Sequence, residues 1–384
     1  MISAIAFVLL LFSGQAMAWD GHRLIHDRLI PAIEEASRRH LVQKVKIPCQ
    51  EDERREIESL ARTLGVNASK IPLHSTAKCG KKILSTESTV AELFLSDWVD
   101  EPDFGMDQDL PAEADPAGDR AWMGGLNGPT SQGFRHMVFP GFEWASPVRS
   151  IQIPFRPVGQ ALERIRVLRS ASDRYRKEQN LFWALRLLNW ELHLIQDLHQ
   201  PFHVTQVPHV QMLPWKSIFS GFVARSTQTM ANYHFAYEGL VQEMLREKTE
   251  GALGECLAGE DSRVFSDPSE LMLEPRKEAW GLGRALLGLL GDYPKSTAVN
   301  LPQGIGGIDY FGLVRGKPLF VNDEESDFLD RDEKRAVERS SVVVGAVDSL
   351  KSATCGLFRV MGAYTRGEIG RFFEDSSISI KTGK

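Results

Sequence analysis

Cysteine is scarce: the 384-residue chain holds four, Cys49, Cys79, Cys256 and Cys355, and no two stand in C-x-x-C spacing, which argues against a thiolate zinc site. Internal repeats, a Pro/Ser-rich linker and any break in composition are also missing, so one domain is expected although the length alone would suggest two or three. Strand signals are few. The best β-like run, Val342-Val343-Val344, sits inside a helical period. Positive charge is not in excess, because the net charge of −6 offers no general attraction for nucleic acid or anionic lipid. Any anion-binding surface must therefore be local.

What is present is an ordinary globular composition, 42% hydrophobic and 25% charged with 32 Gly and 19 Pro, which excludes disordered, collagen-like and coiled-coil classes. Residues 1–18 read as a cleavable leader: apolar Ile2 to Phe12, then Gln15-Ala16-Met17-Ala18, a small-x-small end of the kind signal peptidase cuts after. That apolar run is shorter than the ~20 residues a membrane span needs, and no later segment is longer. An exported chain beginning at Trp19 is expected, secreted or periplasmic. An even number of cysteines in an oxidising compartment permits two disulfides, and the spacing suggests Cys49 with Cys79 and Cys256 with Cys355 among three possible pairings.

The periodicity is helical. Leu162, Ile165, Leu168, Ala171 and Tyr175, then Leu181, Leu185, Leu188, Leu192 and Ile195, recur at three or four residues, which predicts two long amphipathic helices over 157–200. Thr89-Val90-Ala91-Glu92 has capping-box form and predicts a helix over about 89–99. Further helices are expected at 22–39, 232–248, 275–290 and 336–364, with loops at 101–146, 204–230 and 292–330 and a frayed tail at 375–384. Glu51-Asp52-Glu53-Arg54-Arg55 reads as a solvated segment, as does the acidic run Asp103, Asp107, Asp109, Glu113, Asp115 and Asp119. The fold class is thus all-α, a single multi-helix domain over 19–374.

The chemistry-bearing stretch runs from His193 to His203. His193 and Asp197 are four residues apart, one turn apart on the same helical face, and can share one ion. Pro201 cannot continue that helix, so the chain turns and His203 can enter the same cavity from another direction. His234 and Glu238 repeat the four-residue spacing. One such pair is usually an ion pair, but two pairs, a His after a Pro and only 10 His in the chain favour a metal site. Trp19, His22, Asp100 and His136 are further candidates, since a free terminal amine and carbonyl at Trp19 could chelate a cation. His40, His74, His199 and His209 read as surface or hydrogen-bonded histidines.

Trp19, Gly21-His22, Trp98-Val99-Asp100, His136, the H-x-x-x-D-x-x-Q-P-x-H run from His193 and H-x-x-Y-E from His234 together resemble the zinc-dependent phospholipase C family, whose superfamily also holds trinuclear-zinc single-strand nucleases. The likeness is strongest over 157–203, and the C-terminal third shares only its helical character. The resemblance implies an all-helical domain with three Zn2+ ions: Asp100, His136 and His193 on the first, Asp197 bridging to another, His203, His234 and Glu238 on a second, and Trp19 with His22 on the remaining one. His26 stands as the alternative to His22, and Asp97 and Asp103 flank Asp100. The implied reaction is phosphodiester hydrolysis by a zinc-bound hydroxide, with Asp100 as ligand or general base. Three ions, three carboxylates and the hydroxide leave about +2 on formal charges, which draws an anionic phosphodiester to a negative protein. Tyr237-Glu238 matches the phospholipase branch, where the nuclease branch has Asp, so a phospholipid head group is the expected substrate. Phe104, Trp122, Phe134, Phe139, Phe142 and Trp144 crowd the loop around His136 and could supply a cation–π face or a stacking face. A monomer with peripheral membrane contact and no stable nucleic-acid partner is expected. A zinc nuclease, or a non-catalytic metal-binding protein on the same scaffold, is the alternative.

Overall fold

The structure, a computed structural model, describes residues 22–29, 40–80, 87–107, 109–122, 132–145, 151–153, 156–217, 222–246, 253–259, 261–291 and 333–374. The expected leader, Trp19, the loop at 292–330 and the tail at 375–384 lie outside the described residues.

Helices dominate. In chain order they are α1 (His22–Leu29), α2 (Gln50–Leu64), α3 (Val90–Phe94), α4 (Gly133–His136), α5 (Ala161–Lys177), α6 (Leu181–Asp197), α7 (Pro201–Val204), α8 (Phe222–Arg246), α9 (Leu273–Leu290) and α10 (Glu333–Glu374). Two antiparallel two-stranded sheets of three-residue strands complete the description: β1 (Lys44–Lys46) pairs with β2 (Glu87–Thr89), and β3 (Phe142–Trp144) with β4 (Ile151–Ile153). Both expected disulfide pairings are present, with Cα atoms 5.2 Å apart for Cys49–Cys79 and 5.3 Å apart for Cys256–Cys355. Among the described residues no helix is long and apolar enough to cross a membrane.

Local sequence explains several boundaries. The Thr89 side chain accepts the Glu92 backbone N–H while the Glu92 carboxylate accepts that of Thr89, so the expected capping box starts α3. Gly65, at φ 63°, closes α2 in a left-handed conformation that a Cβ would strain. The short turn between α5 and α6 passes through Gln179 at φ 60° and sets the two helices against each other.

Four expectations change. Residues 222–230, read as loop, form the first turns of α8, because no Gly or Pro interrupts them. Glu51 to Arg55 lies in the first turns of α2 and is exposed as expected except at Glu53, which is fully buried. The acidic run is not uniformly solvated either, since Asp107 and Asp119 are buried. Helix α5 is amphipathic as expected, but α6 is not: every residue from Phe182 to Asp197 is buried, including Arg186, Asn189 and Glu191. A helix enclosed on all sides can carry polar residues only where each finds a partner.

Two large apolar clusters meet at the ligand-bearing helices. The first gathers Leu60, Phe94, Trp98, Leu168, Leu185, Trp190 and Phe372 from α2, α3, α5, α6 and the end of α10. The second gathers Ile25, Tyr237, Leu240, Leu286 and Phe358 from α1, α8, α9 and α10. Helix α6 belongs to the first, whereas α1 and α8 belong to the second.

Candidate metal centre

The last turn of α6 presents His193 and Asp197 on one face, and α8 presents His234 and Glu238 with the same spacing. Between them the chain turns at Gln200 and Pro201. The Gln200 side chain accepts the Phe202 backbone N–H at 2.5 Å and Pro201 opens α7, which carries His203 back toward α8. His22 comes from the first residue of α1 and His136 from the last residue of α4.

Asp197 is the hub. Its Oδ2 lies 2.8 Å from His136 Nδ1 and 3.1 Å from His193 Nε2, while Oδ1 lies 3.6 Å from His22 Nε2 and 3.5 Å from His203 Nδ1. Beyond it, His203 Nε2 is 3.1 Å from His234 Nε2 and 3.6 Å from Glu238 Oε1. Three sets of donors each gather within 4.8 Å: His22, Asp103 and His193; His136, His193 and Asp197; and His203, His234 and Glu238. Two donors at ordinary zinc bond lengths on a tetrahedral ion sit roughly 3.3–3.5 Å apart, inside the range seen here. His22 Nε2, Asp197 Oδ1 and His203 Nδ1 are buried and make no hydrogen bond. Buried polar atoms without partners are costly. Cations in the gathered sets, which include His22, Asp197 and His203, would offset that cost, so the donor sets are compatible with metal binding.

The outward nitrogens are tied down. His22 Nδ1 donates to Gln196 Oε1 and His193 Nδ1 to the Val99 carbonyl, each at 2.7 Å, which leaves both Nε2 lone pairs facing the cluster. His26 is buried too, but its Nδ1 pairs with the Phe94 carbonyl at 3.2 Å, and it joins none of the donor sets. The structure thus places His22 at the cluster and His26 behind it.

Electrostatics suit a cation. Burial drives His193 and His234 down to about 3, in His193 reinforced by the neighbouring His22. Burial would also raise Asp197, but the charges and hydrogen bonds of His193, His203 and His136 hold it well below the ordinary carboxylate range. In His22 and His136 burial is outweighed by the Asp197 carboxylate, joined at His136 by Asp107, and both are raised. Glu238 is pushed by burial up to about 7. An ionised Asp197 beside His193, His203 and His234, which burial keeps neutral, is the form a metal requires, whereas His22 and His136 would each have to give up a proton to ligate.

Among the described residues Asp100 joins no donor set, although its charge acts on His22, and its neighbour Asp103 does. The Asp100 carboxylate accepts the Arg23 backbone N–H at 3.1 Å, whereas Asp103 reaches the cluster, with Oδ1 3.6 Å from His193 Nε2 and 3.8 Å from His136 Nδ1 and Oδ2 3.8 Å from His22 Nε2. Asp107, one further turn on, faces His136 Nε2 at 3.6 Å. Burial would raise Asp107, but Arg164 at 2.8 Å and His136 outweigh it and bring it to about 2. The chain from Asp97 runs through a 3-10 turn to Asp100 and a wide π turn over Pro102–Met106. In the sequence Asp103 stands only as a flank of Asp100, in a segment whose 3-10 and π turns carry no steady period. His199 donates to the Ile195 carbonyl at 2.7 Å, His40 stacks on Phe373 and His209 on Trp280, and His74 packs tilted against Trp98, as hydrogen-bonded or packing histidines. Phe134 and Phe139 pack in a small core cluster, and the side chains of Phe104, Trp122 and Phe142 lie outside the described residues.

Compared with known proteins, the chain matches no family model, no curated protein and no solved structure.

Proposed function

We propose that this chain is an exported, zinc-dependent phosphodiester hydrolase of the phospholipase C type. The observation that carries the reading is the convergence on Asp197: its two carboxylate oxygens face two different pairs of histidines drawn from α1, α4, α6 and α7. Five histidines from distant parts of the chain would not be gathered and buried, with a ring nitrogen of His22, His136 and His203 left without a hydrogen bond, by packing alone.

On this reading Asp103, His136, His193 and Asp197 hold one ion and His203, His234 and Glu238 a second. His22, the other oxygen of Asp197 and the Trp19 terminus hold a third. Divalent ions bound there acidify a coordinated water toward neutrality and neutralise the non-bridging phosphate oxygens. The chain's own residues do the rest. Asp197 stays ionised and fixes the spacing of the donors through both oxygens. Asp103 is the most exposed carboxylate of the group at 13%, against 6% for Glu238 and none for Asp197. It is therefore placed to accept, on a carboxylate oxygen, the proton of the attacking water, the role first expected of Asp100. The buried floor excludes bulk water and strengthens each electrostatic contact. Three divalent ions against three carboxylates leave a positive pocket, which selects an anionic phosphodiester despite a net charge of −6. The Tyr237-Glu238 ending supports a lipid head group over a nucleotide.

The test is metal content of the purified mature protein together with hydrolysis of a chromogenic phosphocholine ester and of single-stranded DNA, with and without chelator. Bound zinc and chelator-sensitive cleavage of the ester are expected. Cleavage of DNA alone would move the protein to the nuclease branch. A metal-free protein, or one active on neither substrate, would overturn the proposal.

A further inference from the structure

The two carboxylates of one turn, Asp103 and Asp107, lie on opposite sides of the His136 ring. Asp103 Oδ1 is 3.8 Å from Nδ1, the nitrogen that also meets Asp197, and Asp107 Oδ2 is 3.6 Å from Nε2. His136 Nε2 is buried without a hydrogen bond, and Asp107 is the carboxylate that faces it. Asp107 is itself fully buried and is held from behind by Arg164, whose Nη2 is 2.8 Å away. Arg164 stands in the first turn of α5, at the start of the helix that packs along α6.

We propose that Asp107, clamped by Arg164, is a positioning residue for His136: it accepts the Nε2 proton in a hydrogen bond when a metal is bound, fixes the ring so that Nδ1, 2.8 Å from Asp197 Oδ2, is turned into the cluster, and makes that nitrogen a stronger metal donor. The inference rests on the metal-centre reading above and extends it to a pair of residues outside the donor sets. It distinguishes His136 from His22 and His193, whose outward nitrogens end on neutral acceptors, Gln196 Oε1 and the Val99 carbonyl. A carboxylate behind an imidazole raises its basicity more than a neutral carbonyl does, and loss of such a partner weakens metal affinity about 10–100-fold. Asp107 is too far round the ring to share an ion with Nδ1, and its own charge is already engaged by Arg164. Its contribution passes through His136.

The experiment measures zinc affinity by chelator competition and the d–d spectrum of the Co2+-loaded protein for wild type, Asp107→Ala, Asp107→Asn and His136→Ala, with 15N spectra of the His136 ring in wild type. Expected are a 10–100-fold loss of affinity in Asp107→Ala with an altered Co2+ spectrum, partial rescue in Asp107→Asn, which keeps the size and a carbonyl acceptor, and an Nε2-protonated His136 whose Nδ1 resonance moves on zinc loading. A purely structural Asp107 would lower thermal stability but leave the affinity of the folded protein and the ring tautomer as they are. If Asp107→Ala does not fold, the ring of the zinc-loaded wild type decides: a His136 that binds zinc through Nε2 and keeps its proton on Nδ1 overturns the inference. Wild-type affinity and spectrum in Asp107→Ala or, where that variant does not fold, in Asp107→Asn overturn it as well. Should wild type bind no zinc, or His136→Ala bind it as wild type does, the metal-centre reading itself fails. That result is distinct from loss in His136→Ala with no loss in the Asp107 variants.

Discussion

Asp100 and Asp103 differ by one turn and by what each carboxylate has to do. Asp100 accepts the backbone N–H of Arg23 and so helps fix the entry to α1, where His22 begins, whereas Asp103 points its oxygens at His22, His136 and His193. A carboxylate that ligates and takes a proton cannot be replaced by an amide without losing charge and basicity. One that receives a backbone N–H can be, because an amide oxygen also accepts. We therefore expect Asp103→Asn to weaken zinc binding and slow hydrolysis by more than about 100-fold, beyond the loss typical of an outer partner. Asp100→Asn should change both by less than about tenfold. Zinc titration and ester-hydrolysis rates on the two purified variants check this, and the reverse order would return the ligand role to Asp100. His26 follows the same logic, since its Nδ1 is committed to Phe94 and its substitution acts on packing.

At the level of elements, α6 delivers the centre, and Arg186 holds the Asp103 turn against it. Arg186 is fully buried and grips Glu101 with two nitrogens at 2.5 and 2.9 Å, Glu53 of α2 at 2.7 Å and the Pro72 carbonyl at 2.7 Å, while Trp190 Nε1 adds a bond to Glu101 at 2.8 Å. Burial raises Glu101 even with this guanidinium beside it, so removing the only cation of the trio would leave two carboxylates stranded in the core. Arg186→Met is predicted to cost about 3–5 kcal/mol in denaturant unfolding, a figure typical of a broken buried pair. A loss below about 1 kcal/mol would show that the network does not hold the turn. These elements also mark what the sequence could reveal. The His193/Asp197 and His234/Glu238 pairs were legible because a regular α-helix projects residues four apart onto one face. The turn Pro201 imposes made His203 legible as well. Asp103 was not, because a segment that shifts from a 3-10 to a π turn, rich in Pro, Gly and Asp, carries no steady period and reads as loop. Nor was the enclosure of α6: polar Arg186, Asn189 and Glu191 imitate a solvent face until their tertiary partners are known.

Across the whole molecule the centre lies at a seam. His193 and Asp197 ride on α6, which belongs to the apolar cluster of α2, α3 and α5, whereas His22 and the His234/Glu238 pair ride on α1 and α8, which belong to the cluster shared with α9 and α10. Each cluster has its own disulfide nearby, Cys49–Cys79 beside α2 and Cys256–Cys355 on α10, but neither bond crosses the seam. Without an ion, the seam brings together a charged Asp197 and several buried donors short of hydrogen bonds, a local weakness in an otherwise apolar interior. An ion that ligates both sides changes that balance, and because it binds the folded arrangement and not the separated halves, its binding free energy becomes stability. At free zinc 100-fold above Kd the gain is about 2.7 kcal/mol per site. Calorimetry of zinc-loaded and chelator-treated protein is therefore expected to show a lower melting temperature after stripping that recovers in a saturable way on adding zinc. Amide exchange should quicken together at the end of α6 and in the facing turns of α1 and α8. Equal melting curves and equal exchange in the two forms would mean that the seam is held by packing alone, and that the gathered histidines serve something other than a metal.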